Sequence, residues 1–115
     1  MQKKNNNSNR PERIAAKVQT LCAEILRDLY RDDAVLGTVS VVGSAAHGGA
    51  QFVHLFYYAR DGKSDVVQRR LDDVTRTIRF ELAARMNQKY VPDIRFEYDD
   101  TLERAARIED LLRGI

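Results

Sequence analysis

The sequence predicts an α+β fold, with helices against one face of a three-stranded sheet. Two long stripes of apolar residues recur at helical spacing. Two β-branched or aromatic runs of strand length lie between them, and a strictly alternating segment follows. In 115 residues of 43% apolar and 31% charged character, this is enough for one core and one domain, over residues 10–113. Residues 1–9 are polar, Asn-rich and aperiodic, and read as a disordered tail.

Pro11 suits the first position of a helix, where its missing N–H costs nothing. Ile14, Val18, Leu21, Ile25 and Leu29 then recur at spacings of four, three, four and four, joined by Cys22 and Leu26. The first helix is therefore expected from about Pro11 to about Tyr30. Thr38 to Val42 and Gln51 to Tyr58 read as two strands of an antiparallel hairpin, linked by a long flexible loop from Gly43 to Ala50. Both faces of the second run are apolar, which places it centrally. Ser64 is a good N-cap, and Val67, Leu71, Val74, Ile78, Leu82 and Met86 define a second helix reaching about Lys89. Any bend belongs at Val74-Thr75, its least helix-favouring interior pair. Ile94, Phe96 and Tyr98 alternate with Arg95 and Glu97 as a strand with one wet face. A last helix starts at Asp100 or Thr101, with Asp100 and Glu103 spaced as a capping box and Leu102, Ala105, Ile108, Leu111, Leu112 and Ile115 as its apolar side.

Enzyme signatures are missing. His47 and His54 have no carboxylate or cysteine at a telling spacing, Cys22 falls on an apolar stripe, and no nucleophile elbow or phosphate loop occurs. The acids Asp93, Glu97, Asp99, Asp100 and Glu103 lack the ligand spacing of a calcium loop. No catalytic site, metal or cofactor is expected. With a single cysteine, no internal disulfide can form, and neither a membrane-length apolar run nor a signal-peptide core is present. The expectation is a soluble, cytoplasmic monomer.

The net charge of +2 hides a division along the chain. Residues 1–31 carry seven Lys/Arg against three Asp/Glu, and residues 60–89 carry eight against five. Residues 93–115 reverse this, with four bases and seven acids. Arg10, Arg13 and Lys17 occupy the first turns of the first helix, where the helix dipole disfavours cations. An external anion is one reason to keep them there; neighbouring acids are the other. On the second helix Arg69, Arg76 and Arg79 point away from the apolar stripe, and Phe80 fits no single face with Ile78 and Leu82. Either the last helix covers Phe80, or it stands exposed among arginines as a stacking surface for nucleic acid.

The run Tyr90-Val91-Pro92-Asp93-Ile94-Arg95-Phe96-Glu97-Tyr98-Asp99-Asp100-Thr101-Leu102-Glu103 resembles the C-terminal signature of bacterial ribosome-binding factor A. Arg10-Pro11-Glu12-Arg13-Ile14-Ala15 resembles that family's opening, and Val35-Leu36-Gly37 its segment before the first strand. The resemblance spans about residue 10 to residue 112. It implies a type II KH-like domain of order α-β-β-α-(kink)-α-β plus a C-terminal helix, with the kink at Val74-Thr75-Arg76, where the family's Ala-x-Gly is missing. It also implies a non-enzymatic factor that binds free or immature 30S subunits, contacts 16S rRNA and assists late maturation and rRNA processing. The candidate RNA contacts are Arg10, Arg13, Lys17, Arg69, Arg70, Arg76, Arg79, Arg85 and Lys89, with Lys3 and Lys4 adding reach. The acidic C-terminal third should face away from RNA or toward a basic small-subunit ribosomal protein. A protein-interaction module without RNA binding, and a small enzyme built on His47 and His54, are the rival readings.

Overall fold

The first apolar stripe becomes helix α1, Arg10–Tyr30, and the second becomes α2, Asp65–Met86. Strands β1, Val39–His47, and β2, Phe52–Ala59, lie between them; β3, Asp93–Tyr98, and α3, Thr101–Leu112, follow. This computed structural model describes residues 10–88 and 90–114, so the expected tail over 1–9, Lys89 and Ile115 lie outside it. The sheet order is β1-β2-β3, with β1 antiparallel and β3 parallel to a central β2. The helix–strand–strand–helix–strand frame of the type II KH-like fold is present.

One buried cluster joins Val18, Cys22 and Ile25 of α1, Val53, Leu55 and Tyr57 of β2, Leu71, Ile78 and Leu82 of α2, and Phe96 of β3. Both long helices therefore cover the same face of the sheet. Cys22 is fully buried, and the apolar surroundings push its thiol up to about 12, which keeps it unreactive. Gln68 serves as a polar joint at the edge of this core. Its Oε1 accepts from Tyr57 Oη at 2.8 Å, and its Nε2 donates to the Phe96 carbonyl at 2.9 Å, tying α2 to two strands.

Four expectations need correction. The helix is not broken at Val74-Thr75-Arg76: α2 is continuous over 22 residues. Thr75 Oγ1 turns back to donate to the Leu71 carbonyl at 2.8 Å, so its hydroxyl is satisfied within the helix. With Leu71, Val74, Ile78, Leu82 and Met86 all buried on one stripe, nothing requires an interruption. The strand connection is also shorter than expected. Small residues let β1 continue to His47, with a register shift beside Gly43, and only residues 48–51 remain as the turn. In it Gly48 and Gly49 take φ of +57° and +65°, and Ala50 follows at +73°. The left-handed conformation costs a non-glycine residue about 1–2 kcal/mol. Ala50 keeps it because its side chain is buried and its N–H donates to the His47 carbonyl at 3.1 Å.

The third correction concerns the start of α3. Asp100, at φ −94° and ψ 19°, is outside the extended region an N-cap needs, and its side chain caps nothing. Asp99 Oδ1 takes the role instead, accepting from the Thr101 N–H at 3.0 Å, while Glu103 accepts from the Tyr98 hydroxyl. The fourth is larger. The apolar side of α3 is not packed: no residue of the helix is buried, and Leu102, Ile108, Leu111 and Leu112 are exposed. α1 and α2 already fill the inner face of the sheet, and no space is left there for a third helix.

Between α1 and β1, Asp33 organises a tight turn. Its Oδ1 accepts from the N–H groups of Val35 and Leu36, both at 2.9 Å, and buries Leu36. Gly37 then passes so close to the Arg31 carbonyl that a Cβ would lie 2.7 Å from that oxygen. Backbone cannot yield as a flexible side chain does. Gly37→Ala is therefore expected to lower unfolding stability by about 1–3 kcal/mol in urea titrations. An unchanged midpoint would refute the close approach.

Candidate nucleic-acid interface

Arg79 sets the geometry of the site. Its Nε donates to the Pro92 carbonyl at 3.1 Å, its Nη2 to the Val91 carbonyl at 3.1 Å, and Asp93 lies 3.3 Å from the same nitrogen. These bonds hold the segment before β3 against α2. The residue before Val91-Pro92 is then carried past the end of α2 with neither strand nor helix to bury it, and Tyr90 is left 61% exposed. Phe80, one turn from Arg76 on α2, is 75% exposed. Arg76, Arg79, Phe80 and Ala83 form one wall of a shallow cleft whose other wall is Tyr90 and Val91. Tyr90 is shared with a second depression, lined by Arg10 and Ile14 of α1, the Gly49-Ala50 turn and Pro92.

The nine cations expected from the sequence divide into groups. Arg76 and Arg79 line the cleft with Phe80 and Tyr90, and Arg10 lines the second depression, which shares Tyr90. Arg13 and Lys17 share an arc of about 60° with Arg10 on α1, at roughly 100° per residue, and both are exposed. Among the described residues no ion pair involves Arg10, Arg13, Lys17, Arg69 or Arg76. Arg69 lies farther toward the start of α2, beside Asp65 and Asp73. Arg70 and Arg85 are engaged within the fold. Arg85 bonds Asp28 at 2.9 Å and approaches Glu24 and Glu81, so it clasps α2 to α1. Arg70 bonds Asp33 at 2.7 Å and lies over the Tyr30 ring. Lys89 is outside the described residues. The last helix does not cover Phe80.

Sequence reasoning missed Tyr90 as a site residue. The signal was there: Val91, directly before Pro92, favours extended over helical backbone, so the aromatic ahead of it stands where the helix has to have ended.

The Asp33–Arg70 contact is also a pH-dependent one. Hydrogen bonds from the Leu36 N–H, then from Arg70 and the Val35 N–H, hold the Asp33 carboxyl down to about 2. A folded value below the unfolded one contributes stability that is complete above the unfolded pKa and is lost as pH falls through the folded one. The gap in melting temperature between the native chain and Asp33→Ala should therefore narrow from about pH 4 down to about pH 2. A gap that stays constant across that window would rule the linkage out.

Other chemistry is thin. Among the described residues no group of three or more His, Cys, Asp or Glu could hold a metal ion, and no helix is long and apolar enough to cross a membrane. His54 Nδ1 sits 3.2 Å from Glu97, and its ring is edge-on to His47 with 4.8 Å between centroids; all three lie along the strands, away from the cleft.

The family profile described as ribosome-binding factor A matches residues 10–112. The ribosome-binding factor A of Limosilactobacillus fermentum is 33% identical over 109 residues, covering 92% of this chain and 90% of that protein. That of Lactococcus lactis subsp. cremoris is 30% identical over 113 residues, covering 95% and 93%. The crystal structure of ribosome-binding factor A from Thermus thermophilus superposes with a TM-score of 0.67 at 18% identity, covering 76% of this chain and 93% of that one. A homology model of the T. thermophilus factor, fitted into a cryo-EM map of a 30S–RbfA complex, gives 0.63 at 19% identity, covering 74% and 90%. At such identities the structural likeness speaks for the fold, while the profile and the sequence relatives speak for descent. Matched by that profile over residues 10–112, with Arg10 of its opening segment beside Tyr90 and Pro92 in one depression, this chain belongs to the ribosome-binding factor A family.

Proposed function

We propose that this chain is a ribosome assembly factor that binds free or immature small ribosomal subunits in the cytoplasm. In this reading it contacts 16S rRNA and assists late 30S maturation and 16S rRNA processing, acting as a monomer by binding alone. The observation that carries the reading is the pair of exposed rings, Phe80 and Tyr90, in a cleft with Arg76 and Arg79, with Arg10 on the far side of Tyr90 in the adjoining depression. Guanidinium groups positioned on phosphates give affinity without sequence information, and exposed rings accept unpaired bases of any kind. Such a surface suits structured RNA with accessible loops better than a sequence code. Arg13, Lys17 and Arg69 extend it, and Lys89 adjoins it in sequence. Arg70 and Arg85 act mainly by holding α1 and α2 in register. Family membership supports the ribosomal partner.

Co-sedimentation with purified immature and mature small subunits across a salt series tests this. Preference for the immature particle is expected, with affinity falling linearly in log–log form as salt rises. The slope should lose about one unit for each phosphate contact removed by Arg13→Glu/Lys17→Glu. Binding to neither particle would overturn the reading. A second reading, a protein-interaction module that does not bind RNA, draws on the bare apolar side of α3. It predicts binding that is indifferent to salt and survives the double reversal.

A further inference from the structure

The two edges of the sheet are finished differently. The Asp93 N–H donates to the Gln51 carbonyl at 3.0 Å, and the Asp99 N–H to the Tyr57 carbonyl at 2.8 Å. Alternate residues between them face β2, so Ile94, Phe96 and Tyr98 turn their backbone groups to the free edge of β3. α2 closes that edge. Gln68 Nε2 donates to the Phe96 carbonyl at 2.9 Å, and Arg79 donates to those of Val91 and Pro92.

β1 forms the other edge. The Arg60 N–H donates to the Thr38 carbonyl at 3.1 Å, so Ser40 and Tyr58, the next pair but one, are also bonded. Val39 and Val41 therefore point their backbone groups away from β2. The Val39 N–H is taken by the Leu36 carbonyl. Among the described residues no side chain reaches the Val39 carbonyl or the Val41 N–H and carbonyl. Such an edge is a template for a further strand about 4.8 Å away.

The groove beside this edge selects the occupant. Ala23, Leu26 and Arg27 of α1, with Arg31 just past its end, face Val39 and Val41 across it, and no carboxylate lines it. The acids on this part of α1, Glu24 and Asp28, lie toward α2, where Arg85 engages them at 3.9 and 2.9 Å. Asp32 is exposed and outside the groove. Arg27 has only a 4.0 Å approach to Asp28, and among the described residues no ion pair involves Arg31. Uncompensated positive charge thus stands beside unpaired backbone groups. RNA supplies negative charge but no amide partners, and no ring lines the groove for a base to stack on. A second copy, pairing β1 with β1, brings its own Arg27 and Arg31 against these, like charge on like. An extended acidic peptide satisfies both demands.

We propose that β1 accepts an extended acidic segment of another protein as a fourth strand. It bonds the Val39 carbonyl and the Val41 N–H and carbonyl, and its acidic side chains reach Arg27 and Arg31. Alternate side chains of that strand turn to the opposite face, where Val42 is 50% exposed, so the recognised pattern alternates acidic and aliphatic residues. This site lies at the other edge of the sheet from the Arg76–Phe80–Tyr90 cleft and goes beyond the RNA reading.

The test titrates the full chain, followed by amide NMR, with acetylated hexapeptides that alternate glutamate with valine or leucine. Their lysine-for-glutamate counterparts and hexauridylate run beside them. The acidic peptides are expected to shift the amides of residues 39–42 and to slow hydrogen exchange of the Val41 N–H at least about tenfold. Arg27→Glu/Arg31→Glu should weaken that binding about tenfold or more. Its melting temperature should not move, since both side chains are exposed. The inference is overturned if the acidic peptides fail to bind, shift only other residues, bind no better than the lysine peptides, or keep full affinity for the double variant. Shifts at residues 39–42 with hexauridylate would make the groove an RNA site. Concentration-dependent shifts there without ligand would give it to a second copy, and either result overturns the proposal too. None of these outcomes touches the assembly reading, which co-sedimentation decides separately.

Discussion

Phe80→Ala should weaken binding to the immature small subunit by about 1–3 kcal/mol, the usual loss when an aromatic platform for a base is removed. Its melting temperature should not move. At 75% exposure the ring contributes little to the core, and surface changes of this kind stay within about 0.5 kcal/mol. The salt dependence should not move either, because a ring displaces no counterions. Arg76→Glu is the complementary case. Arg76 is exposed on α2, so its reversal should leave folding intact and flatten the salt slope by about one unit or more. Arg79 is a poorer probe, since its bonds to the Val91 and Pro92 carbonyls place Tyr90 and its loss would disturb the cleft and the fold together. Co-sedimentation at two salt concentrations, beside a thermal melt, reads all of this. Equal affinity for Phe80→Ala and the unaltered chain would remove stacking from the account, and an unchanged slope for Arg76→Glu would remove the phosphate.

Which parts of this arrangement are legible in the sequence follows from range. α1, α2 and β3 announce themselves through period, because burial on one face imposes a spacing that local sequence must carry. β2 is readable as central for the same reason, its aromatic outer residues Phe52, Phe56 and Tyr58 half-covered beside buried Val53, Leu55 and Tyr57. Arg70 and Arg85 look like any other cations on a helix. Their partners, Asp33 and Asp28, lie 37 and 57 positions away, and only the packing of α1 on α2 brings them together. Tyr90 is the converse, an aromatic that looks like core and is left out of it by the chain direction that Arg79 and Pro92 impose. The expected break into two helices rested on a family pattern whose residues are absent at Val74-Thr75-Arg76, and the helix runs through them with one buried stripe. An amphipathic pattern shows that a face seeks burial without showing where, and α3 displays the difference.

That difference yields a strong contrast in stability. Leu71 is fully buried on α2, in the cluster that includes Tyr57 and Phe96, and Leu71→Ala is expected to cost about 2–5 kcal/mol through lost burial and the cavity left behind. Domains of this kind are stable by only about 5–15 kcal/mol, so the variant should melt far earlier. Leu112→Ala removes the same atoms from the same residue type. At 83% exposure it has almost no burial to lose, and its effect should stay within about 0.5 kcal/mol. Urea titration of the two variants separates the cases, and the slope of the transition should match the unaltered chain for Leu112→Ala. A helix with no buried residue contributes little to the core, so Leu112 should not matter to the folding of the free chain. If Leu112→Ala were as costly as Leu71→Ala, α3 would have to be packed against the body in solution. Its apolar side would then belong to the core of this chain.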